Sequence, residues 1–382
     1  MKAVQFGAGN IGRGLFGRLL NLAGWEIVFV DAIPVVVAEL NRRGGYEVHI
    51  LGRQCSIVEV RGVRALHVSD VARVSDEVST ADLLGVSVGV KNLPAVAPLI
   101  AEALRARAER NPEPIDIVVL ENLLGAAATL RRLVLGAAGP AHRFVEEQVG
   151  FVATVVGMMA PVIPEAKRRE DPLYLAAESF AELPVDSRAF RAPRPAARGL
   201  IFVDNMDAYE ERKLFVHNCG HSTCAFLGRR KGYEFIYQAI EDLDIYPVVR
   251  GAMWESAECL IRRHGFRYFD LSAHIEDLLR RFDNPALGDQ VTRVARDPLR
   301  KLAPNDRLVA PARLAISYGL APVNIVKGIA AALHYANPED ESAVALQSMV
   351  RERGFESVLR EVCRIEPGEE LFGMIMAELA KG

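Results

Sequence analysis

The apolar positions divide this chain into two textures. In the first half, short apolar and β-branched runs alternate with stretches whose apolar residues recur every three or four positions. Lys2–Phe6 reads as a buried strand. After a cluster of glycines, Ile11, Leu15, Phe16, Leu19, Leu20 and Ala23 repeat at helical spacing, and Gly24 supplies a stop. Glu26–Val30 reads as a second strand and Val35–Leu40 as a helix. Ile57–Val60 and Leu66–Val68 read as short strands, and Leu83–Val90 and Ile115–Leu120 as buried strands, each followed by a helical pattern. This alternation predicts an α/β Rossmann-type domain with a doubly wound, mostly parallel sheet. From 171 to 203 the pattern loosens: Leu173–Ala177 and Leu200–Val203 look extended, separated by a Pro- and Arg-rich loop, Pro184–Arg198. After Asp204 strand signals nearly vanish. Helical patterns such as Ala252–Arg263, Ala273–Phe282 and Ile325–Ala336 predict an all-helical C-terminal domain. The expected division is 1–203 and 204–382.

Length agrees with two domains, since 382 residues exceed what one ordinary core organises. Half the residues are apolar and a quarter charged, a globular composition. The net charge of −3, from 46 basic and 49 acidic residues, leaves no electrostatic footprint for nucleic acid. Lys167-Arg168-Arg169 and Arg229-Arg230-Lys231 read as solvated faces. The chain runs straight into an apolar strand without a charged leader, and its longest uncharged run, Gly150–Pro164, is too short to span a bilayer. Five scattered cysteines form no disulfide framework. A cytoplasmic protein without a membrane partner is expected.

Gly7-Ala8-Gly9-Asn10-Ile11-Gly12 is a GxGxxG that follows a strand and opens a helix, the context in which the pattern carries meaning. Gly7 permits the tight turn, Gly9 lets backbone approach a pyrophosphate, and Gly12 lets helix and strand pack closely. The helix start, with Asn10 and Ile11, turns N–H groups toward phosphate. Asp31 ends the second strand, 19 residues after Gly12. A carboxylate there accepts from ribose hydroxyls and repels a 2′-phosphate, which favours NAD. The plain alternative is a turn with an Asp before Pro34. Arg13, just past the loop, is either a pyrophosphate contact or a surface arginine.

The segment Lys213–His221 offers a base and hydrogen-bond donors together. On an α-helix, Lys213, His217, Asn218 and His221 fall within an arc of about 140°. Lysine works as a base near neutral pH only when burial or a positive neighbour lowers its pKa. The alternative is a solvated helix face. His217, His221 and Cys224 at i, i+4 and i+7 also suit zinc, but no fourth ligand is evident and Lys213 would set a positive charge beside the ion, so no metal is expected.

Phe6–Gly14, Glu121-Asn122, Glu211–Phe215, Asn218, Gly220-His221, Gly251–Met253, Glu255-Ser256, Pro298–Leu302, Asp306–Leu308 and Gly328–Ala332 together resemble the polyol-specific long-chain mannitol dehydrogenase family, nearly end to end. Lys-x4-Asn-x2-His is the most specific element of the likeness. The resemblance implies a metal-independent enzyme in which Lys213 is the general base, Asn122 and Asn218 donate to the substrate oxygen, and His221 orients the substrate or the lysine. Asn122 also follows Ile115–Leu120, at a strand's carboxyl end, where open α/β sheets bind ligands. The segment around Arg300, Lys301 and Arg307 is similar to the sugar-phosphate branch. It implies that these cations hold a phosphate, with surface charge as the alternative, and that mannitol 1-phosphate and fructose 6-phosphate are interconverted with NAD. A monomer or weak dimer is implied. In one place the chain departs: where the family has an Asp-Arg pair, this run reads Val156-Gly157-Met158-Met159-Ala160-Pro161. That departure keeps open an unphosphorylated polyol or hexuronate as substrate. A catalytically silent NAD-binding regulatory protein is a third reading, opposed by the presence of the lysine, both asparagines and the histidine.

Overall fold

In the computed structural model, which describes residues 1–52, 55–159, 161 and 163–381, chain contacts divide the protein into two units, Met1–Met206 and Asp207–Gly382. The strands in chain order are β1 Lys2–Phe6, β2 Glu26–Asp31, β3 Gly45–Leu51, β4 Ser56–Arg61, β5 Val63–His67, β6 Leu83–Val86, β7 Ile115–Val119, β8 Val149–Ala153, β9 Ala176–Glu178, β10 Leu183–Asp186 and β11 Leu200–Val203.

Six of them form one parallel sheet in the order β5-β2-β1-β6-β7-β8. The chain builds outward from β1 in one direction and then from β6 in the other. The sheet therefore reverses its winding between β1 and β6, where such folds bind ligands. β1 is buried from Ala3 to Phe6, and β7 along its whole length, as expected for strands covered on both faces. One core, around Phe16, Phe29 and Val118, lies on one face; another, around Phe6, Val86 and Ile100, lies on the other.

Several sequence expectations shift. The strand expected at Leu66–Val68 runs Val63–His67, and that at Leu173–Ala177 is the short β9. Leu83–Val90 is extended only to Val86. The expected loop Pro184–Arg198 begins inside β10, which pairs with β11 despite Pro184. β3 has no counterpart among the expected strands. It pairs antiparallel with β4 and parallel with β9 to make a three-stranded side sheet.

The second unit holds only helices among its described elements. Its centre is formed by helices Cys219–Arg230, Ile245–His264 and Val323–Leu333. They approach closely where side chains are absent: a Cβ at Gly220 would stand 2.5 Å from Met253 Cγ, and one at Gly328 would stand 2.6 Å from Thr223 Oγ1. The Glu255 carboxylate accepts from the backbone N–H of Asn324 (2.8 Å) and Ile325 (2.9 Å), fixing the start of the third helix. Among the described residues no helix is long and apolar enough to cross a membrane.

Candidate active site

The glycine loop leaves β1 between the ends of β2 and β6. Gly7 N–H donates to Val30 O, and Ser87 N–H donates to Phe6 O, each at 2.8 Å. Gly7 has φ +93°, and a Cβ there would lie 2.4 Å from Ser87 O, so only glycine fits this turn. The buried Gln5 amide donates to Phe6 O (2.7 Å) and Ser87 Oγ (2.9 Å), tying the loop to β6. Above Gly9 the space is open: a Cβ there would meet nothing within 4 Å. This is the shape a bare-backbone cradle needs to take a pyrophosphate. Gly12 is opposite in kind: its Cβ would lie 2.0 Å from Gly7 O. Gly12–Gly17 is a π-helical turn, followed by an α-helix over Arg18–Leu22.

Asp31 sits half-buried at the end of β2. Its Oδ2 accepts from Ala8 N–H at 2.6 Å and its Oδ1 from Ile33 N–H at 2.9 Å. The carboxylate thus braces the loop from behind, and an ionised carboxylate has lone pairs beyond these two. Arg13 is not the surface arginine of the two expected alternatives. It is buried, its Nε donates to Ala8 O (2.6 Å) and its Nη1 to Leu173 O (2.7 Å), and its guanidinium lies over the Tyr46 ring. It braces the loop and does not lie on the surface. At the sheet's carboxyl edge, Asn122 is exposed just beyond β7. Beside it the buried Glu121 carboxylate accepts from Gly89 N–H at 2.8 Å.

In the second unit the lysine segment is helical, as expected, but Arg212–Asn218 is a π-helical turn that passes into the α-helix Cys219–Arg230. In an α-helix Lys213 and Asn218 would be about 140° apart. The i→i+5 spacing of a π-turn swings them toward one side. Burial pushes the Lys213 amine down to about 8, with the Arg307 charge adding to the effect. His217 is buried against His221 and Phe282 and is held well below its ordinary range, first by burial and then by the charge of Arg281. His221 Nε2 lies 2.8 Å from Asp289 Oδ2.

The three expected phosphate cations lie close together. Arg300 Nε meets Asp297 (2.9 Å), and its Nη1 meets Asp306 (3.3 Å). Arg307 is largely buried and gives Nε to Asp306 (2.7 Å). Lys301 is buried, donates to Arg296 O, and is pushed down to about 7 by burial and by Arg307. The zinc alternative finds other uses for its atoms. His221 Nε2 faces Asp289, Cys224 Sγ faces Ile236 O, and among the described residues no group of three His, Cys, Asp or Glu side chains is placed to hold a metal.

Comparison with known families covers both units. The mannitol dehydrogenase Rossmann domain matches residues 1–199, and the mannitol dehydrogenase C-terminal domain matches 205–376. The chain belongs to the mannitol dehydrogenase family. Two solved structures share its fold. A D-sorbitol dehydrogenase in substrate-free form superposes with a TM-score of 0.83 at 20% identity, over 99% of this chain and 92% of the other. Mannitol 2-dehydrogenase of Pseudomonas fluorescens, in ternary complex with NAD and D-mannitol, gives 0.73 at 18% identity, over 100% and 91%.

Within this mannitol dehydrogenase family member, the structure gathers the expected residues into two groups. Gly7, Gly9, Asn10, Ile11, Gly12 and Asp31 cluster in the Rossmann unit. Lys213, Asn218 and His221 share one helical segment in the C-terminal unit, with Arg307 in electrostatic reach of the lysine. Sequence reasoning misses Asp289, the partner of His221. It lies 68 positions away, outside any local pattern, and the short Asp289-x3-Arg293 spacing is its sole local signal. At the departure from the family pattern, Val156, Met158 and Met159 are buried, and Met159 N–H donates to the Glu178 carboxylate. Ala160 of that run lies outside the described residues.

Proposed function

We propose that this chain is an NAD-dependent polyol dehydrogenase that interconverts mannitol 1-phosphate and fructose 6-phosphate. One observation carries the reading. A lysine whose amine is pushed to about 8 stands beside a largely buried arginine, and among the described residues the terminal nitrogens of that arginine make no hydrogen bond. The first is a base usable near neutral pH, and the second is a seat for an anion next to it. The cofactor is NAD, because the open backbone over Gly9 fits a pyrophosphate and the Asp31 carboxylate suits an unphosphorylated ribose. When bound, NAD takes the hydride that leaves the alcohol carbon.

In oxidation the neutral Lys213 amine removes the hydroxyl proton. Asn122 and Asn218 donate to the oxygen as it becomes a carbonyl, and His221 orients the substrate. In reduction the Lys213 ammonium returns the proton. Arg307 receives the phosphate, with Arg300, and Lys301 when protonated, adding positive potential.

A second reading, an unphosphorylated polyol or hexuronate, has specific support too. Arg300 and Arg307 already share Asp306, and Lys301 already serves Arg296 O. The two structural neighbours are named for sorbitol and mannitol. A parallel assay of NADH absorbance with mannitol 1-phosphate, mannitol, fructose 6-phosphate, fructose and fructuronate separates them. Turnover confined to the phosphorylated pair, with KM raised in Arg307→Leu, is expected. Equal rates with and without the phosphate would replace the first reading by the second. Absence of turnover with all five would remove both.

A further inference from the structure

His221 is held from two sides. Its Nε2 lies 2.8 Å from Asp289 Oδ2, and its ring lies flat on Phe282, with centroids 4.7 Å apart and planes 13° apart. Asp289 is buried, and its Oδ1 accepts from Arg293 Nε at 3.0 Å. An ionised carboxylate only accepts, so the imidazole nitrogen facing it carries the hydrogen. Burial opposes ionisation of Asp289, yet His221 and Arg293 hold its carboxyl below the usual range. In its neutral form the ring then has Nδ1 as a bare acceptor. The charged and titratable groups facing Asp289 are His221, Arg293 and the Cys224 thiol, and His217, next to His221, in turn feels Arg281, Lys213 and His274.

We propose that Asp289 is a positioning residue for the dehydrogenase reaction: acting through His221, it sets the Nε2–H tautomer and leaves Nδ1 to accept a hydrogen bond from a substrate hydroxyl. This rests on the reading of His221 as a substrate-facing residue. A polyol offers hydroxyl donors beside the carbon being oxidised. An acceptor with a fixed direction takes the hydrogen of one hydroxyl, whereas the other tautomer would donate to a hydroxyl oxygen and leave that hydrogen to another partner.

The test is a double-mutant cycle on the full chain, read as kcat/KM for whichever polyol proves active. Asp289→Asn is expected to lower it about 10- to 100-fold, the usual scale for losing the partner that orients a working histidine, with NADH affinity unchanged. In a His221→Ala background the same change is expected to cost less than about twofold, because the residue through which it acts is gone. Losses that multiply, or an unimpaired Asp289→Asn beside an impaired His221→Ala, overturn this inference alone. A fully active His221→Ala overturns both it and the role of His221 on which it rests. Nitrogen-15 shifts of His221 in the unmodified protein supply a test that needs no folded variant at 289. Protonated Nε2 with bare Nδ1 is expected, and protonated Nδ1 overturns the proposal.

Discussion

Both candidate sites open on a π-helical turn, and the two turns are made in opposite ways. Gly12–Gly17 has glycine at three of its six positions, and two of them are sterically required. A Cβ at Gly12 would lie 2.0 Å from Gly7 O, and one at Gly17 would lie 2.8 Å from Gly12 O and 2.9 Å from the Phe29 ring. Arg212–Asn218 contains no glycine at all. The first turn strips side chains so that helix, loop and sheet pack closely behind the open Gly9. The second keeps its side chains and aligns Lys213 with Asn218. π-turns concentrate at functional positions because the widened turn costs hydrogen-bond geometry that a plain scaffold would not give up. The contrast teaches that, on the proposed reading, the same backbone deviation supports a packed cofactor loop in one unit and aligned side chains in the other.

The largest expected effect tests the chemical side. Lys213→Ala should lower kcat/KM about a thousand-fold while leaving NADH affinity and Tm in place, because a general base contributes on that scale and the cradle lies on other residues. A loss smaller than tenfold, measured by NADH absorbance, would mean that another group is the base.

The recognition side should break differently at two neighbouring glycines. Gly12→Ala must displace the Gly7 carbonyl, so both Tm and NADH affinity should fall, the latter by about a hundredfold, since rearranged backbone costs several kcal/mol. Gly9→Ala meets nothing in the protein, so Tm should hold while NADH binding weakens by about tenfold or more. Thermal melts and fluorescence titrations check the pair. A Gly9→Ala protein with unchanged affinity would remove the pyrophosphate from this loop.

The legibility of these regions differs for the same physical reason. β1, β2 and β7 are readable because fully buried parallel strands show as apolar runs, and the glycine loop because its steric demands are local. β3 carries the period-2 alternation of a half-buried strand and its omission is a misreading, whereas its parallel pairing with β9, far along the chain, is recorded in no local pattern. β8 contains Gly150, which reads as a breaker, yet a Cβ there would strike Asp116 Oδ1 and Ala189 O. The lysine segment is readable as a helix, but periodicity does not distinguish a π-turn from an α-turn. Arg13 and Asp289 act through contacts 160 and 68 positions away, which no local pattern records.

A smaller effect sharpens the role of the lysine environment. Burial and Arg307 place the Lys213 amine at about 8, so log kcat/KM for oxidation should climb with unit slope below that pH and level above it, about tenfold per pH unit. Reduction needs the ammonium and should fall off above the same value. A profile that levels near 10 would mean that the amine is not desolvated when it works.

The smallest effect comes from Asp116, and it separates stability from catalysis. Burial raises this carboxyl from 3.8 to about 6, against the hydrogen bonds it accepts from Arg191 and Ala192 N–H. Desolvation thus acts on Asp116 and Lys213 alike, with opposite sign because it disfavours whichever form is charged. For the acid, the folded state holds the proton more tightly than the unfolded chain. Its stabilising contribution is therefore complete below the ordinary aspartate range and is lost as pH rises through about 6. The Tm difference between the natural protein and Asp116→Asn should shift by a few degrees from pH 4 to 6 and then stay flat, with the natural protein favoured at the acid end. The rate profile of Asp116→Asn should still level at about 8. If the variant moved that profile, the lysine would not be titrating on its own surroundings, and the division of labour between the two units would fail.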